Sequence, residues 1–407
     1  MKLITLLITL LFIYQNVFAQ NQPVNEYAAI DKKVLQIPDS LTTTTTGISG
    51  YITANFKSDK EKSRAIFFWL ASNIQYDIDN MFAINFYESR EEKIAKPLQT
   101  RKGICENYAV LFNDICIKSG IKSYVVEGYT KQNGLTDNIP HAWCAALLDS
   151  TWYMFDPTWG SGYVQNKKFY RKINNNYFKV NPSIMIKSHM PFDYLWQFLN
   201  YPVTYQEFYD GKTQQNKAKP FYNYTDSIRF YESQNHLDQL IASSRRIEKN
   251  GVKNSLIYDR LNHIKLEIEY EKNEAENKKI VIENERQAII VNLYNSAVID
   301  FNDGINDFNK FIDYRNKQFT PTKSDIEILS MIDAADSKLS AAKSKLNEIV
   351  NPDSNMSTFI IQLTKSIDEA EVQVKEQQNW LKIYFSKGKS GRKSMFTKYT
   401  WFGIPLN

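Results

Sequence analysis

The chain has 407 residues, of which 43% are hydrophobic and 23% are charged, a balance typical of a folded globular protein rather than a disordered one. Fifty Lys and Arg against 45 Asp and Glu give a formal net charge of +5, too small an excess to indicate nucleic-acid binding. The 14 glycines disfavour a turn-dense all-β protein, and three cysteines exclude a disulfide-rich scaffold while leaving at least one free thiol.

Residues 1–19 have the pattern of a signal peptide. Lys2 supplies a positive charge ahead of an apolar run, and Val17 and Ala19 place small residues before a cleavage site at Gln20. The run is too short for a transmembrane helix, and the later sequence contains no apolar span long enough for one. No cysteine follows the cleavage site to accept a lipid anchor. We therefore expect a secreted or periplasmic protein.

The rest of the sequence is predicted to fall into five parts. They are a polar lead-in segment at 20–62, a catalytic domain at 63–212, a polar linker at 213–225, a helical bundle at 226–385 and a basic, aromatic tail at 386–407. The prediction for the linker depends on the polar segment QQNKAKP at 214–220, after which the spacing of apolar residues changes.

The predicted catalytic domain has an α+β pattern. Apolar residues at helical spacing predict a helix over 60–76, and a second helix should begin at about Cys105 and be capped by Gly120. Strand-like runs follow at Ser123–Tyr129, His141–Leu148 and Trp152–Asp156, with a polar loop at 130–138. A helix followed by antiparallel strands predicts an α+β domain.

Beyond the linker, apolar residues alternate at spacings of four and three. The residues that follow this pattern include Ile328, Ile332, Ala335, Leu339, Ala342, Leu346 and Ile349, and the pattern recurs over 356–374 and nearly over 290–312. Such seams belong to packed, coiled-coil-like helices, and Ser324 with Glu327 forms a capping box at a helix start. We predict an all-α antiparallel bundle that could bind a protein partner. The tail beyond it suits weak contact with a membrane surface or a polyanion, or packing onto the bundle.

The free thiol of greatest interest is Cys105. It follows Gly103 at the predicted N-terminus of an amphipathic helix, where the partial positive charge stabilises a thiolate and backbone N–H groups can stabilise an oxyanion. Cys116 lies about 16 Å further along the same helix, too far for a disulfide. We expect Cys116 and Cys144 to be small buried hydrophobic residues.

A base and a carboxylate are predicted to meet beside this thiol. If Asp149 and Ser150 form a two-residue turn, Trp143 lies opposite Asp156 and His141 is one diagonal step away. Cys105 would then be a nucleophile, His141 its base and Asp156 the group that orients the imidazole.

Other residues near this triad are candidates for binding or structural roles. Gln99 is a candidate second oxyanion donor, and Trp143 and Trp159 are candidate cleft walls or core residues. His189 lies in an apolar stretch, which favours a structural role. The sequence contains no paired-cysteine, HExxH or calcium-loop motif and no phosphate-binding glycine loop, so we expect neither metal nor cofactor.

These residues resemble the transglutaminase-like superfamily of papain-related cysteine enzymes, in the branch that includes the kyphoscoliosis peptidase. The matching motifs are G-x-C at 103–105, SGI at 119–121, HAW at 141–143, WYMFDPTWG at 152–160 and the segment 174–199. The resemblance covers roughly 60–210 and implies Cys105 as nucleophile, His141 as general base and Asp156 as third member. Asn107, where the branch often has glycine, and Cys144, where many members have a polar residue, are departures.

The sequence therefore predicts an exported cysteine acyl-transfer enzyme that acts on protein or peptide amides through a thioester. Water as acceptor gives a peptidase and a lysine amine gives a transglutaminase; export without calcium-loop ligands favours hydrolysis. The alternative is a non-catalytic scaffold whose helical bundle binds a surface partner. In a third hypothesis, the bundle gates the active-site cleft.

Overall fold

The computed structural model describes residues 26–82 and 88–396, together with the backbone of two short strands at 398–399 and 405–406. The predicted signal peptide at 1–19 lies outside the described residues. Two compact units divide at Lys272 and Asn273.

The first unit begins with helices that complete its core. They are α1 (Ala28–Val34), α2 (Thr45–Asn55) and α3 (Asp59–Asn73), with a 3-10 turn at Asp39–Leu41. Thr44 caps α2 by accepting a hydrogen bond from the Gly47 N–H, and Ile48 and Ile52 on α2 are fully buried. These residues join the hydrophobic cluster that holds α3 and the central sheet. The segment predicted as a polar lead-in is therefore part of the first unit, because its apolar residues are buried in this core.

The polypeptide then reaches Cys105 through β1 (Gln75–Tyr76), α4 (Arg90–Thr100) and β2 (Lys102–Gly103) before entering α5 (Cys105–Lys118). Helix α3 ends before the predicted position 76, because β1 pairs in parallel with β2. Helix α5 begins at the predicted residue. Gly120 follows its end with a φ of +83°, a conformation that favours glycine, which confirms the predicted C-terminal cap.

The remaining strands and short helices of the domain follow in chain order. They are β3 (Ser123–Gln132), β4 (Leu135–Leu148), β5 (Thr151–Phe155), α6 (Pro157–Ser161), β6 (Gly162–Gln165), β7 (Lys168–Arg171), α7 (Pro182–Met185), β8 (His189–Pro191) and α8 (Tyr205–Tyr209), with 3-10 turns at Asn175–Tyr177 and Tyr194–Gln197.

Four of these strands form an antiparallel sheet in the order β5-β4-β3-β8. The β4–β5 turn has positive φ at both Asp149 and Ser150, and the register pairs Cys144 with Phe155, as predicted. The expected loop at 130–138 is wrong. Both strands continue through it and turn at Asn133 and Gly134, a dipeptide that favours a tight hairpin.

Three helices follow α8, namely α9 (Tyr224–Ser233), α10 (His236–Asn250) and the long α11 (Ser255–Asn316). Leu240, Ile247 and Leu261 from these helices share a buried cluster with Tyr129 and Met190 of the sheet. The division between units therefore falls at 272 and not in the predicted linker at 213–225. The polar composition of that segment reflects a surface connection within one unit.

The second unit is helical. It contains the C-terminal part of α11, α12 (Asp325–Asn347), α13 (Ser354–Ser386) and α14 (Lys389–Ser394), with β9 (Lys398–Tyr399) paired to β10 (Pro405–Leu406). Contacts of Lys343 with Asp368 and of Gln378 with Asp333 fix α12 and α13 as antiparallel. The predicted seam from Ile328 to Leu346 is buried along its length.

The described part of the predicted tail lies against these helices. Arg392 donates two hydrogen bonds of 2.6 Å to Asp325, and the Phe396 ring packs on Trp380 and Tyr384. Residue 397 and the last residues of the tail lie outside the described side chains. Among the described residues, no helix combines the length and apolar character needed to cross a membrane.

Candidate active site

The backbone around Cys105 is braced by Asn107. Asn107 Oδ1 accepts a hydrogen bond of 2.9 Å from the Ile104 N–H, and its Nδ2 donates at 3.0 Å to the Lys93 carbonyl on α4. A Cβ atom at Gly103 would lie 2.8 Å from the Asn107 Cβ, so this arrangement requires glycine there. Cys105 is the first residue of α5 and is partly exposed, which leaves its thiol accessible at a helix N-terminus.

His141 and Asp156 meet as their strands predict. His141 Nε2 lies 2.8 Å from Asp156 Oδ2, with the histidine 8% exposed and the aspartate fully buried. The other carboxylate oxygen, Oδ1, accepts from the backbone N–H groups of Thr158 and Trp159 and so caps α6. Asp156 is therefore both a helix cap and the partner of His141.

The electrostatics of this pair favour a charged imidazole. Burial by itself would lower the pKa of His141, but the charge and hydrogen bond of Asp156, and then Cys105, raise it to about 10. Burial would likewise raise the pKa of Asp156, but His141 and His189 hold it well below its usual range. Cys105 lies close enough to His141 to contribute to this raised pKa. Since Nε2 faces Asp156, Nδ1 is the ring nitrogen left for the thiol.

Sequence reasoning assigned His189 a structural role, but the structure places it on the same carboxylate. His189 Nε2 lies 3.1 Å from Asp156 Oδ2, and Ser188 Oγ lies 2.8 Å from His189 Nδ1. The ligand atoms of His141, Asp156 and His189 lie within 4.8 Å of one another, a spacing that a metal ion could also use. The hydrogen bonds already account for the arrangement. The signal that could have found His189 is its place in the segment 174–199, which matched the family pattern.

Cys105 and His141 line one cavity of about 300 Å³. Part of its wall comes from the first turns of α11, which contribute Leu256, Asp259, Arg260 and His263. Two ion pairs also border it, Lys93 with Glu106 and Arg260 with Glu127, each at 2.6 Å. No sequence motif pointed to α11, because these residues are about a hundred positions or more beyond Asp156.

The remaining candidate residues have other positions. Gln99 is exposed on α4 and does not line this cavity. Trp143 is buried and Trp159 is partly buried; their rings lie 6.1 and 5.5 Å from the His141 ring, and neither lines the cavity. Trp143 is thus core rather than cleft wall.

The other two thiols are buried, as expected. Burial raises the pKa of both Cys116 and Cys144, which disfavours their thiolates. The Cys144 thiol donates a hydrogen bond to the Ala109 carbonyl of α5. Both cysteines are packing residues.

Tyr76 is a residue near the thiol that sequence reasoning missed, because position 76 was expected to end a helix. The β1–β2 pairing places it opposite Gly103, two residues before Cys105. Burial, followed by the negative charge at Cys105, raises the pKa of Tyr76, so its phenol stays protonated and can donate.

Residues 46–157 match the family model of the transglutaminase-like superfamily. This region is a transglutaminase-like domain. The predicted resemblance is thereby confirmed, and the range contains Cys105, His141 and Asp156.

Several curated proteins and solved structures are similar to parts of this chain. The kyphoscoliosis peptidases of Mus musculus and Homo sapiens are each 32% identical over 177 residues, which cover 41% of this chain and 25% of theirs. Hillarin of Drosophila melanogaster is 24% identical over 205 residues, which cover 45% of this chain and 24% of hillarin. A crystal structure of a TGase aligns at 20% identity over 40% of this chain and 41% of that chain, with a TM-score of 0.23. The match thus spans about a quarter of the curated relatives' length.

Proposed function

We propose that this chain is an exported cysteine acyl-transfer enzyme that acts on protein or peptide amides and mainly hydrolyses them. The observation that supports it most is the chain of contacts from Cys105 to His141 to Asp156 at the edge of one cavity. A thiol at a helix N-terminus, an imidazole against it and a buried carboxylate behind the imidazole form the arrangement of an activated nucleophile.

The proposed reaction has two steps. The Cys105 thiolate attacks the amide carbonyl carbon, and the C–N bond breaks as the His141 imidazolium gives its Nδ1 proton to the leaving amine. His141 then removes a proton from water, and the hydroxide attacks the thioester, releasing the acid and restoring the thiol. Asp156 stabilises the imidazolium form throughout.

The tetrahedral oxyanion needs donors that already point toward it. The first N–H groups of α5 have no partner within the helix, and the N–H of Cys105 is among them. We assign the Tyr76 hydroxyl as a second donor in place of Gln99, because its strand pairs with Gly103, two residues before Cys105, and its phenol stays protonated.

The walls of the cavity suit an extended peptide. The lining combines apolar side chains of Ile139, Phe192 and Leu256 with the paired charges of Lys93–Glu106 and Arg260–Glu127. Such a lining can contact both the apolar side chains and the polar backbone of a polypeptide. The name peptidase on the mammalian relatives also supports hydrolysis over cross-linking.

A labelled peptide library tests the proposal when it is incubated with the protein in the presence and absence of a primary amine. Hydrolysis products in both cases support a peptidase, and amine adducts would make it a transglutaminase. Cys105→Ser is the inactive control. A wild-type protein that gives neither product, and whose Cys105 resists electrophiles, would favour the scaffold with a partner-binding helical bundle.

Export is tested separately. The pattern at residues 1–19 predicts a mature protein in the cell envelope or the medium that begins at Gln20. Amino-terminal sequencing checks this, and a protein from that fraction that begins at Met1 would contradict it.

A further inference from the structure

Asp156 has two histidine partners, and the proposed mechanism uses one of them. His189 on β8 and His141 on β4 both direct Nε2 at Asp156 Oδ2, at 3.1 and 2.8 Å. His189 is 1% exposed, so the contact is shielded from solvent. A buried polar side chain beside a reacting pair needs an explanation.

The hydrogen bond to Asp156 places a hydrogen on Nε2 of His189, and burial favours the neutral ring. An ionised carboxylate only accepts hydrogen bonds, so His189 Nε2 must carry a hydrogen. The Ser188 hydroxyl at 2.8 Å can donate to Nδ1, which is the acceptor of a neutral ring. Burial lowers the pKa of His189 even though Asp156 acts in the opposite direction. The ring is therefore neutral, with its proton at Nε2.

Aromatic rings hold the plane of His189 in place. Trp159 and Trp143 meet it edge-on at centroid distances of 4.7 and 5.1 Å, and Tyr177 lies 6.1 Å away. These contacts leave the imidazole little freedom to turn its Nε2 away from Asp156.

We propose that His189 is a positioning residue that donates its Nε2 hydrogen to Asp156 Oδ2 and fixes the carboxylate in the orientation that receives the His141 imidazolium. Backbone N–H groups of Thr158 and Trp159 already hold Oδ1, so His189 completes the set of donors. A second donor on Oδ2 also disperses the negative charge, so the carboxylate stays ionised rather than taking the His141 proton. The inference rests on the proposed function of Cys105 and His141.

Two substitutions separate the hydrogen bond from the shape of the ring. His189→Phe keeps a flat ring among the aromatic neighbours but has no donor, whereas His189→Gln can present an amide N–H near the position of Nε2. We expect the rate of Cys105 alkylation by iodoacetamide to fall about 10- to 100-fold in His189→Phe, the effect of losing a hydrogen bond to a charged group. It should recover most of that loss in His189→Gln.

The matched control is His236→Phe, because His236 is half-exposed, pairs with Glu271 and does not line the cavity. Its alkylation rate should equal that of the wild type. Thermal unfolding of each variant establishes that it is folded. A folded His189→Phe protein that reacts at the wild-type rate would overturn the inference. A folded His189→Gln protein in which Cys105 is alkylated as slowly as in His189→Phe would also overturn it. The shape of the ring, and not its hydrogen bond, would then explain the loss.

Nuclear magnetic resonance of ¹⁵N-histidine-labelled wild type tests the same inference without any variant. We expect His189 to be neutral with hydrogen on Nε2 at pH 7; hydrogen on Nδ1 alone, or on both nitrogens, would overturn it. The tautomer of His189 also distinguishes a failure of the proposed function from a failure of this inference. A wild-type Cys105 that resists alkylation counts against the proposed function, and the inference about His189 is then decided by its tautomer.

Discussion

His141 Nε2 lies 2.8 Å from Asp156 Oδ2, and this contact determines which nitrogen serves the thiol. Because the carboxylate accepts from Nε2, the neutral ring has its lone pair on Nδ1, the nitrogen left for Cys105. In the proposed mechanism, proton transfer between Cys105 and His141 takes place at Nδ1 without any rearrangement of the bond to Asp156. The pair is therefore preorganised for a base that becomes an acid in the next step.

The first prediction concerns the nucleophile. Iodoacetamide at pH 6 to 7 should modify Cys105 well before Cys116 or Cys144, because Cys105 is accessible at a helix N-terminus while burial raises the pKa of the other two. Mass-spectrometric mapping of the modified peptides checks this. Labelling of Cys116 at an equal or greater rate would remove the basis for the assignment.

The second prediction separates the two roles of Asp156. Asp156→Asn keeps an oxygen that can accept from Thr158 and Trp159, so α6 stays capped, but the charge that stabilises the imidazolium is lost. We expect kcat/KM to fall by about 10²–10⁴, and thermal stability near neutral pH to fall as well, because the imidazolium loses its buried partner. Asp156→Ala removes the helix cap as well. The free energy of unfolding of this variant should fall by about a further 1–2 kcal/mol.

If Asp156 were only a helix cap, Asp156→Asn would keep its activity and both effects would appear solely in Asp156→Ala. Peptide hydrolysis and thermal unfolding of the two variants, measured side by side, distinguish these outcomes.

The third prediction concerns pH. Burial opposes protonation of His141, but Asp156 outweighs it and raises the pKa to about 10, above the 6.5 of an ordinary histidine. Protonated His141 therefore stabilises the folded state fully below about pH 6.5. This contribution is lost as the pH rises toward about 10. In Asp156→Asn burial acts without the opposing charge, so this loss between about pH 6.5 and 10 should disappear. Chemical denaturation of both proteins at several pH values measures it, and parallel curves would contradict the pairing.

The helix start at Cys105 and the contact of His141 with Asp156 could be predicted from the sequence because the signals for them are local. A helix start at Cys105 follows from glycine and helical spacing, and the two-residue turn at Asp149 and Ser150 fixes which residues of β4 and β5 are opposite. Once that register is known, the approach of His141 to Asp156 follows from strand geometry alone.

What the sequence did not predict depends on contacts between distant segments. β8 is only three residues long, and its pairing with β3 brings His189 to Asp156 across 33 positions. The cavity wall formed by α11 and the packing of α2 in the core were missed for the same reason. The apolar pattern of each segment does not specify which element it packs against. The hairpin at Asn133 and Gly134 could have been predicted, because an Asn-Gly dipeptide favours a tight turn between two strands.

The fourth prediction concerns Asn107, the departure from the family pattern. Its side chain bonds both the Ile104 N–H and the Lys93 carbonyl, so Asn107→Ala leaves two backbone groups without these partners. We expect the free energy of unfolding to fall by about 1–3 kcal/mol and Cys105 to be alkylated more slowly. Asn55→Ala is a suitable control, because Asn55 also donates to a backbone carbonyl but lies on α2. Equal losses in both variants, with Cys105 reactivity unchanged, would show that Asn107 has no specific effect on the thiol.

The last prediction concerns the extent of the catalytic unit. A fragment of residues 20–272 keeps every described residue that lines the cavity, together with the cluster in which Leu240, Ile247 and Leu261 pack on the sheet. We expect it to unfold cooperatively and to show Cys105 alkylation close to that of the full chain. A fragment of residues 20–212 lacks α9, α10 and α11, so Tyr129 and Met190 lose apolar cover and the cavity loses one wall. That fragment should aggregate or unfold at a lower temperature. Calorimetry and iodoacetamide labelling of the two fragments decide the boundary, and a shorter fragment as stable and as reactive as the longer one would restore the linker at 213–225.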